Sequence, residues 1–305
     1  MSTTVAGAPF AGESDERQLR DFLVAAAVDP AVRYYHVGDL IWGLYQNTTF
    51  DPTVNMRLWR DEGGELLGFA WFHEPAAVDL QVDPRFRGQG WLEAEMLAWA
   101  DERRLACASA AVGNAPPLET VPFEPDEAIA ETLRRLGFVP GEPLYLHLER
   151  DLIDPIPLPS LPAGFGVRHV SGETEFAERV AIHREVWHPS KVTLDAYRRM
   201  RTKVGYDPEL DLVAWAPDGT AASYCICWLD PVNRTGLFEP VGTREAFRGR
   251  GLGKAVMREG LRRLRDRGAR TAIVGVAFGN EAAIALYASV GFRTIGAFRS
   301  YVRRG

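Results

Sequence analysis

The chain has 305 residues, about the length of two ordinary domains, and 46% of them are hydrophobic. Its 35 Lys and Arg against 41 Asp and Glu give a net charge of −6, which argues against a general nucleic-acid-binding surface. No apolar run approaches the ~18 residues of a membrane span, and the first residues lack the basic and apolar regions of a secretory signal. We therefore expect a cytoplasmic protein with neither nucleic acid nor a membrane as its partner.

The three cysteines, Cys107, Cys225 and Cys227, are too few for a disulfide framework. Such a sparse set is typical of proteins from a reducing compartment. Cys225 and Cys227 fall on one face of a predicted strand, without a second cysteine pair or neighbouring histidines. We therefore interpret them as small core residues and expect no metal site.

The first half of the chain predicts alternating helices and strands, because helical apolar periodicity gives way to short apolar runs between turn signals. The expected helices cover residues 14–26, 40–46, 91–105 and 126–136, and the expected strands cover 64–72, 76–82, 107–112 and 144–148. One dense polar and aromatic group lies near the second helix: Tyr34, Tyr35, His36, Asp39 and Trp42. These residues either line a pocket or supply helix core and turn positions.

Residues 151–166 contain four prolines, which exclude a helix and favour extended chain. Because a domain-sized stretch lies on each side, we interpret this segment as an interdomain linker rather than a long surface loop. The expected domains are therefore residues 1–150 and 167–305.

The second half repeats the order of the first. Its expected helices cover residues 173–186, 194–203, 252–267 and 281–290, and its expected strands cover 210–216, 221–229, 236–243, 271–277 and 293–302. The segment PRFRGQG at 84–90 matches EAFRGRG at 245–251, and DEAIAETLRRLGF at 126–138 matches NEAAIALYASVGF at 280–292. Because both matches occur in the same order beside equivalent elements, the sequence predicts a duplicated fold.

A glycine-rich turn, residues 248–253, joins a predicted strand to a predicted helix. Such a turn directs unpaired backbone N–H groups and the positive end of the helix dipole towards one point, which suits a phosphate. The spacing fits neither the P-loop nor the dinucleotide fingerprint, because Ala255 follows Lys254 and a lysine stands where the third glycine would be. Residues 244–270 also hold ten Arg or Lys against three Asp or Glu, which supports an anion site or, for many of these arginines, a solvated helix face.

These features make the second half resemble the GNAT superfamily of acetyl-CoA-dependent N-acyltransferases. Two motifs of that family are present, [QR]-x-x-G-x-[GA] as Arg248, Gly251 and Gly253, and N-x-x-A-x-x-x-Y as Asn280, Ala283 and Tyr287. The resemblance is strong over 166–305 and reaches the first half only through the repeat. It implies an α/β (α+β) tandem duplicated GNAT fold, with a mixed, splayed central sheet flanked by helices in each half.

The resemblance also implies how acetyl-CoA is held. The backbone of Val241 and Thr243 would bind the acyl and pantetheine part, and Asn280 would contact the pantetheine or nearby backbone. The pyrophosphate would lie on the amides of the turn, which comprises Arg248, Gly249, Arg250, Gly251, Leu252, Gly253 and Lys254. Tyr287 would protonate the leaving thiolate, a role that suits a phenol with a pKa near ~10.

The attacking amine must lose a proton, because an alkylammonium has a pKa near ~10.4. Glu239 is our candidate base, since it lies on the strand that enters the turn. Strand alternation puts it on the face of Val241 and Thr243 unless a bulge reverses that. His183 and His188 are rival bases.

The first half resembles a copy that has lost its chemistry. In the register of the two matches, Lys254 corresponds to Glu93, Glu239 to Val78 and Tyr287 to Leu133, and Gly253 and Asn280 correspond to Leu92 and Asp126. Val256 likewise corresponds to Glu95, and because two carboxylates in the first helical turn repel a pyrophosphate, we expect residues 1–150 to be a degenerate, non-catalytic GNAT-like domain.

The function expected is direct acetyl transfer from acetyl-CoA to a primary amine on a small molecule or peptide, with the active site in the second half. The tandem layout is also similar to that of mycothiol synthases, which is a more specific form of the same hypothesis. The alternative is a non-catalytic acyl-CoA sensor or interaction protein, which would bind the cofactor without turnover. We expect a monomer or a homodimer.

Overall fold

The computed structural model describes residues 5–27, 32–111 and 114–304. The strands are β1 (Ala6–Pro9), β2 (Met56–Arg60), β3 (Leu66–His73), β4 (Ala77–Val82), β5 (Leu118–Thr120), β6 (Val139–Asp151), β7 (Gly166–His169), β8 (Asp211–Trp215), β9 (Ala221–Asp230), β10 (Thr235–Thr243), β11 (Thr271–Ala277) and β12 (Arg293–Arg303). The helices are α1 (Glu13–Ala26), α2 (Val37–Tyr45), α3 (Pro52–Asn55), α4 (Trp91–Ala111), α5 (Glu127–Arg135), α6 (Glu173–Val186), α7 (Leu194–Met200), α8 (Leu252–Asp266) and α9 (Glu281–Ser289). Among these helices, none is both long and apolar enough to cross a membrane.

The order of elements from β1 to β6 recurs from β7 to β12, apart from the single-turn helix α3. In each copy a strand and two helices precede three consecutive strands, a long helix, a strand, a short helix and a last strand. This order confirms the duplicated α/β fold that the two sequence matches predict.

Two compact units form the chain, and they differ from the two halves of the sequence. The first unit comprises Met1–Tyr35, Phe50–Leu146 and Gly296–Gly305, and the second comprises His36–Thr49 and His147–Ile295. Compared with the expected domains, helix α2 belongs to the second unit rather than the first, and Gly296–Gly305 belongs to the first unit rather than the second. Strand pairing explains the second exchange, because the end of β12 pairs with β5 through Tyr301 and Thr120.

In the first unit the strands lie in the order β1, β2, β3, β4, β5 and β12. Neighbours are antiparallel except for β4 and β5, which are parallel. Seven of the eight residues of β3 are buried, as its nearly continuous apolar sequence requires. Its core packs Phe72 of β3 with Val78 and Val82 of β4 and with Met96 of α4.

In the second unit the order is β6, β11, β10, β9, β8 and β7. Strands β7 to β10 pair in antiparallel fashion, whereas β10 and β11 are parallel and pair only from Thr235 to Leu237. Because β10 continues to Thr243 without that partner, the sheet opens there. This opening confirms the splayed sheet that the resemblance implies.

Two local predictions need comment. The expected strand at 107–112 is wrong for the residues that the structure describes, because α4 continues through Cys107 to Ala111, while residue 112 lies outside them. The proline-rich segment has no regular structure after Asp154, but it is anchored in the second unit. The Leu152 N–H donates to the Arg270 carbonyl, and Ile156 is buried.

Candidate active site

The glycine-rich turn leads directly into helix α8. Gly249 and Gly251 have φ angles of 75° and 77°, which side chains with a Cβ rarely adopt. The first helical N–H to be bonded is that of Ala255, which donates to the Gly251 carbonyl over 3.0 Å. Within the part of the chain that the structure describes, the N–H groups of residues 249–254 make no hydrogen bond. The turn therefore presents a row of unpaired donors at the positive end of a 15-residue helix.

Positive charge around this turn is uncompensated. At the far end of α8, Arg263 pairs with Glu259, and Arg267 pairs with Asp207 and Glu209. By contrast, Arg248, Arg250 and Lys254 make no ion pair with any residue in the described ranges. Together they would attract an anion to the N–H groups of the turn.

Strand β10 brings its backbone close to the start of α8. A Cβ on Gly253 would lie 3.2 Å from the Thr243 Oγ1 and 3.3 Å from Leu286, so this position needs a small residue. Beyond Leu237 the edge of β10 that faced β11 is no longer paired, and this stretch includes Val241 and Thr243. The backbone groups along this edge are therefore available to a ligand in the opening.

Glu239 lies at a bulge, where the pairing of β10 with β9 shifts between Phe238 and Val241. Pro240 has no N–H to give the ladder, which explains why the register breaks there. The Glu239 carbonyl accepts a hydrogen bond of 2.6 Å from the Trp228 Nε1. Burial and the neighbouring Asp39 carboxylate raise the pKa of the Glu239 side chain to about 8.

The bulge also corrects the expected orientation of Glu239. The side chains of Phe238 and Thr243 both lie against α8, beside Gly260 and Gly253, so Glu239, which follows Phe238, points to the opposite face of the sheet. The extra residue in β10 thus turns Glu239 away from the face of Thr243. Simple alternation fails here because the strand is not regular.

Tyr287 is buried on α9, with 6% of its surface exposed. Burial, the charge of Glu239 and the neighbouring Cys225 all raise the pKa of its phenol above the usual value near 10. The hydroxyl therefore stays protonated through the neutral range. Asn280, at the start of the same helix, accepts the Ala283 N–H on its Oδ1 over 3.2 Å, so it bonds the nearby backbone.

His183, the first rival base, is fixed by its neighbours. Its Nδ1 lies 2.8 Å from the Tyr224 hydroxyl, and its ring packs between Trp42 and Trp187. Burial and the Arg179 guanidinium lower the pKa of His183 to about 3. A group that stays neutral and already shares a hydrogen bond is a poor acceptor for an ammonium proton. The other rival, His188, is exposed.

The polar and aromatic group around α2 divides between the units. His36 is the N-cap of α2, and Asp39 completes the capping box. Trp42 is buried in the core of the second unit. Core and turn roles therefore account for His36 and Trp42. The proximity of Asp39 to Glu239 was not predicted, because the repeat gave no sign that α2 belongs to the second unit.

The equivalent turn in the first unit is filled by its own side chain. Glu93 is fully buried, and its two carboxylate oxygens accept the N–H groups of Gly88 over 2.7 Å and Gly90 over 3.0 Å. The neighbouring Arg87 pairs with Asp126 in a buried ion pair. Here a carboxylate satisfies the donors that remain unpaired in the second unit.

Strand registers also correct one equivalence between the halves. Gly68 pairs with Val82 as Ser223 pairs with Thr243, which aligns β3 with β9. Three residues further along β3 from Gly68 lies Trp71, which pairs with Asp79 of β4. The corresponding position of β10 is the bulge, which Glu239 and Pro240 occupy together. The counterpart of Glu239 is therefore Asp79 and not Val78, because the bulge adds one residue to β10.

Comparisons with known proteins agree with this geometry. Residues 176–292, within the second unit, match the acetyltransferase (GNAT) family. Mycothiol acetyltransferases from Kineococcus radiotolerans and Streptomyces coelicolor are each 30% identical to the chain, over 246 and 251 residues. Each match covers 76% of this chain, with 76% and 74% of the respective relatives.

The chain belongs to the GNAT family of acetyltransferases. As a GNAT enzyme it is an N-acetyltransferase that takes its acetyl group from acetyl-CoA. No group of three or more His, Cys, Asp or Glu side chains suited to a metal ion occurs in the described part of this GNAT chain.

Solved GNAT structures share the whole fold. A tandem GNAT protein from the clavulanic acid biosynthesis pathway matches 98% of the chain and 98% of its own length, with a TM-score of 0.67 and 19% identity. A GCN5-related N-acetyltransferase from Sphaerobacter thermophilus matches 99% of the chain and 96% of its own length, with a TM-score of 0.65 and 20% identity. At these identities the likeness supports the tandem GNAT fold alone.

Proposed function

We propose that the second unit transfers the acetyl group directly to a primary amine, without a covalent enzyme intermediate. The observation that carries this proposal is that Glu239 lies close enough to Tyr287 for its charge to raise the pKa of the phenol. Glu239 lies on β10 just past the last residue paired with β11, and its charge acts on the phenol of Tyr287. A group that can accept a proton and a group that retains one thus lie near the opening of the sheet.

The donor fits the opening and the turn. Acetyl-CoA supplies a thioester, whose carbonyl carbon the amine attacks. The free N–H groups of residues 249–254, with Arg248, Arg250 and Lys254, would hold its pyrophosphate. The unpaired edge of β10 at Val241 and Thr243 would bind the pantetheine amides as a neighbouring strand would. Asn280 and Ala283, at the start of α9, would form the opposite wall.

Glu239 would accept the proton that the attacking ammonium loses. As the new C–N bond forms and the thioester C–S bond breaks, Tyr287 would give its proton to the leaving thiolate. Because the Asp39 carboxylate lies near Glu239, its negative charge favours a cationic amine over a neutral nucleophile. We propose a small-molecule amine as the acceptor, since the curated relatives are named for a small thiol.

The first unit would not transfer acetyl groups. Glu93 already occupies the phosphate-binding N–H groups, and Leu133 replaces the tyrosine of the second unit. A pyrophosphate would have to displace a buried carboxylate with two hydrogen bonds. The first unit would therefore contribute no donor chemistry.

The test is a turnover assay on the full chain, in which free thiol released from acetyl-CoA is followed with a library of small primary amines. We expect release with at least one class of amine and its loss in Glu239→Gln and Tyr287→Phe. Tight acetyl-CoA binding without release for any amine would instead support the sensor alternative.

A further inference from the structure

The first unit keeps a carboxylate where the second has its proposed base. Asp79 pairs directly with Trp71 across β3 and β4, so both side chains lie on one face of the sheet. On the opposite face, Val78 and Val82 pack in the core with α4. The first unit therefore has a closed phosphate turn but retains the acceptor-side carboxylate.

The Asp79 carboxylate is held by two partners on one oxygen. Its Oδ2 accepts the Tyr35 hydroxyl and lies 2.7 Å from the His73 Nε2. Within residues 5–27, 32–111 and 114–304, no hydrogen bond to the Asp79 Oδ1 is found. The side chain of Asp79 is 26% exposed and that of His73 is 46% exposed, so solvent and small solutes reach them.

Aromatic side chains lie on one side of this carboxylate. Trp71 stacks on His73 with an interplanar angle of 9°, and Phe50 stacks on Trp71 at a centroid distance of 5.3 Å. Tyr35 meets Trp71 edge to face. A carboxylate among aromatic rings favours an organic cation, which gains both an ion pair and contact with the rings. A metal ion would find only one carboxylate and one histidine here.

We propose that Tyr35, Trp71, His73 and Asp79 form a second amine-binding site, which recognises an organic primary ammonium without acetylating it. The Asp79 Oδ1 takes the ammonium, and the rings of Tyr35 and His73, which are partly exposed, border its carbon skeleton, while the buried Trp71 supports His73 from below. The inference rests on the proposed role of Glu239 towards the acceptor, because Asp79 is the counterpart of Glu239 in the first unit. Because no donor reaches the first unit, the bound amine is retained and not consumed.

The probe is 4-fluorobenzylamine, which is protonated at neutral pH, with 4-fluorobenzyl alcohol as the uncharged match. Fluorine NMR line broadening on the full chain reports binding. We expect the amine, and not the alcohol, to bind the unmodified protein and the Glu239→Gln variant. Asp79→Asn in the Glu239→Gln background should weaken that binding at least five-fold. Loss of all binding in Glu239→Gln alone, or equal binding in the double variant, would overturn the proposal.

A second readout needs no variant. The imidazole signals of His73 in the unmodified protein should shift saturably with the amine and stay unchanged with the alcohol. Unchanged His73 signals at saturating amine would also refute the site. Neither experiment uses acetyl-CoA, so a negative result would not bear on the transfer reaction of the second unit. Conversely, a negative turnover assay would not change how these binding results are interpreted.

Discussion

The two glycine turns share a backbone and differ in what fills them. Gly88 and Gly90 have φ angles of 78° and 92°, close to the 75° and 77° of Gly249 and Gly251. In the first turn the Glu93 carboxylate accepts two of the N–H groups, whereas Lys254 in the second leaves them open. One position in the first turn of the following helix therefore separates a closed anion site from an open one.

The difference extends to the neighbouring arginine. Arg87 is neutralised by Asp126 at the start of α5, whereas Arg248 is exposed and the residue of α9 equivalent to Asp126 is the uncharged Asn280. The two turns thus share a backbone, but in the first unit internal charges occupy the groups that a phosphate would otherwise contact. The position of the proposed base differs less, because the first unit has Asp79 where the second has Glu239.

The largest expected effect comes from removing the proposed base, Glu239, whose counterpart in the first unit is Asp79. Glu239→Gln should lower kcat by about 10²–10⁴-fold, the usual contribution of a positioned base, because the amide cannot take the ammonium proton. Its affinity for acetyl-CoA should stay unchanged. The measurement is thiol release under saturating donor, with the exposed Glu127→Gln as a matched control. An unchanged kcat in Glu239→Gln would contradict the role of Glu239 as the base.

The next test gives the second glycine turn the carboxylate that the first turn has. Lys254→Glu should weaken acetyl-CoA binding about 100-fold or more, since charge-assisted hydrogen bonds contribute about 1.5–3 kcal/mol each and the new carboxylate can take the same N–H groups as Glu93. Lys254→Gln, which removes only the positive charge, should weaken it by about three-fold, as an exposed charge contact is worth up to ~1 kcal/mol. Calorimetry gives both dissociation constants. Equal losses in the two variants would contradict the closing role of the carboxylate.

The pH dependence follows from the burial of Glu239 and from its neighbour Asp39. Because the pKa of Glu239 is raised to about 8, its base form accumulates as pH rises, and kcat/KM should climb through an inflection near that value. Asp39→Asn removes a like charge, which lowers the pKa of Glu239 and should move the inflection to lower pH. A kcat/KM profile across the neutral and mildly alkaline range measures it. Superimposable profiles would show that α2 does not influence the base.

The smallest effect concerns the closed turn itself. Glu93→Gln places an amide NH₂ against a backbone N–H, so it should reduce the free energy of unfolding by about 1–2 kcal/mol. The exposed Glu95→Gln, two residues further along the same helix, should change it by less than about 0.5 kcal/mol. Urea unfolding compares the two variants. Equal stabilities would mean that Glu93 does not hold the turn.

Local sequence patterns predicted much of this architecture. The paired matches revealed the duplication, and the glycine spacing identified the turn before α8, because positive φ angles and helix starts are local properties. The strand predicted at 107–112 failed for a local reason as well. Residues 105–111 are mostly alanine and other small residues with little periodicity, and alanine favours the continuing helix.

Non-local pairing lay beyond the sequence. Nothing in the composition of α2 or β12 shows which unit each joins, since that depends on contacts with distant strands. The bulge at Pro240 is a similar case. One additional residue shifted the equivalence of Glu239 from Val78 to Asp79, and only the pairing of β10 with β9 reveals it.

The most direct test of the account is calorimetric titration of the full-length protein with acetyl-CoA. If the donor binds only at the open turn, the isotherm will show one site per chain, and Lys254→Glu will weaken that site about 100-fold or more, so that it is no longer seen in the same titration. Two sites per chain would mean that Glu93 does not close the first turn. No binding, or one site that survives in Lys254→Glu, would contradict the placement of the donor in the second unit.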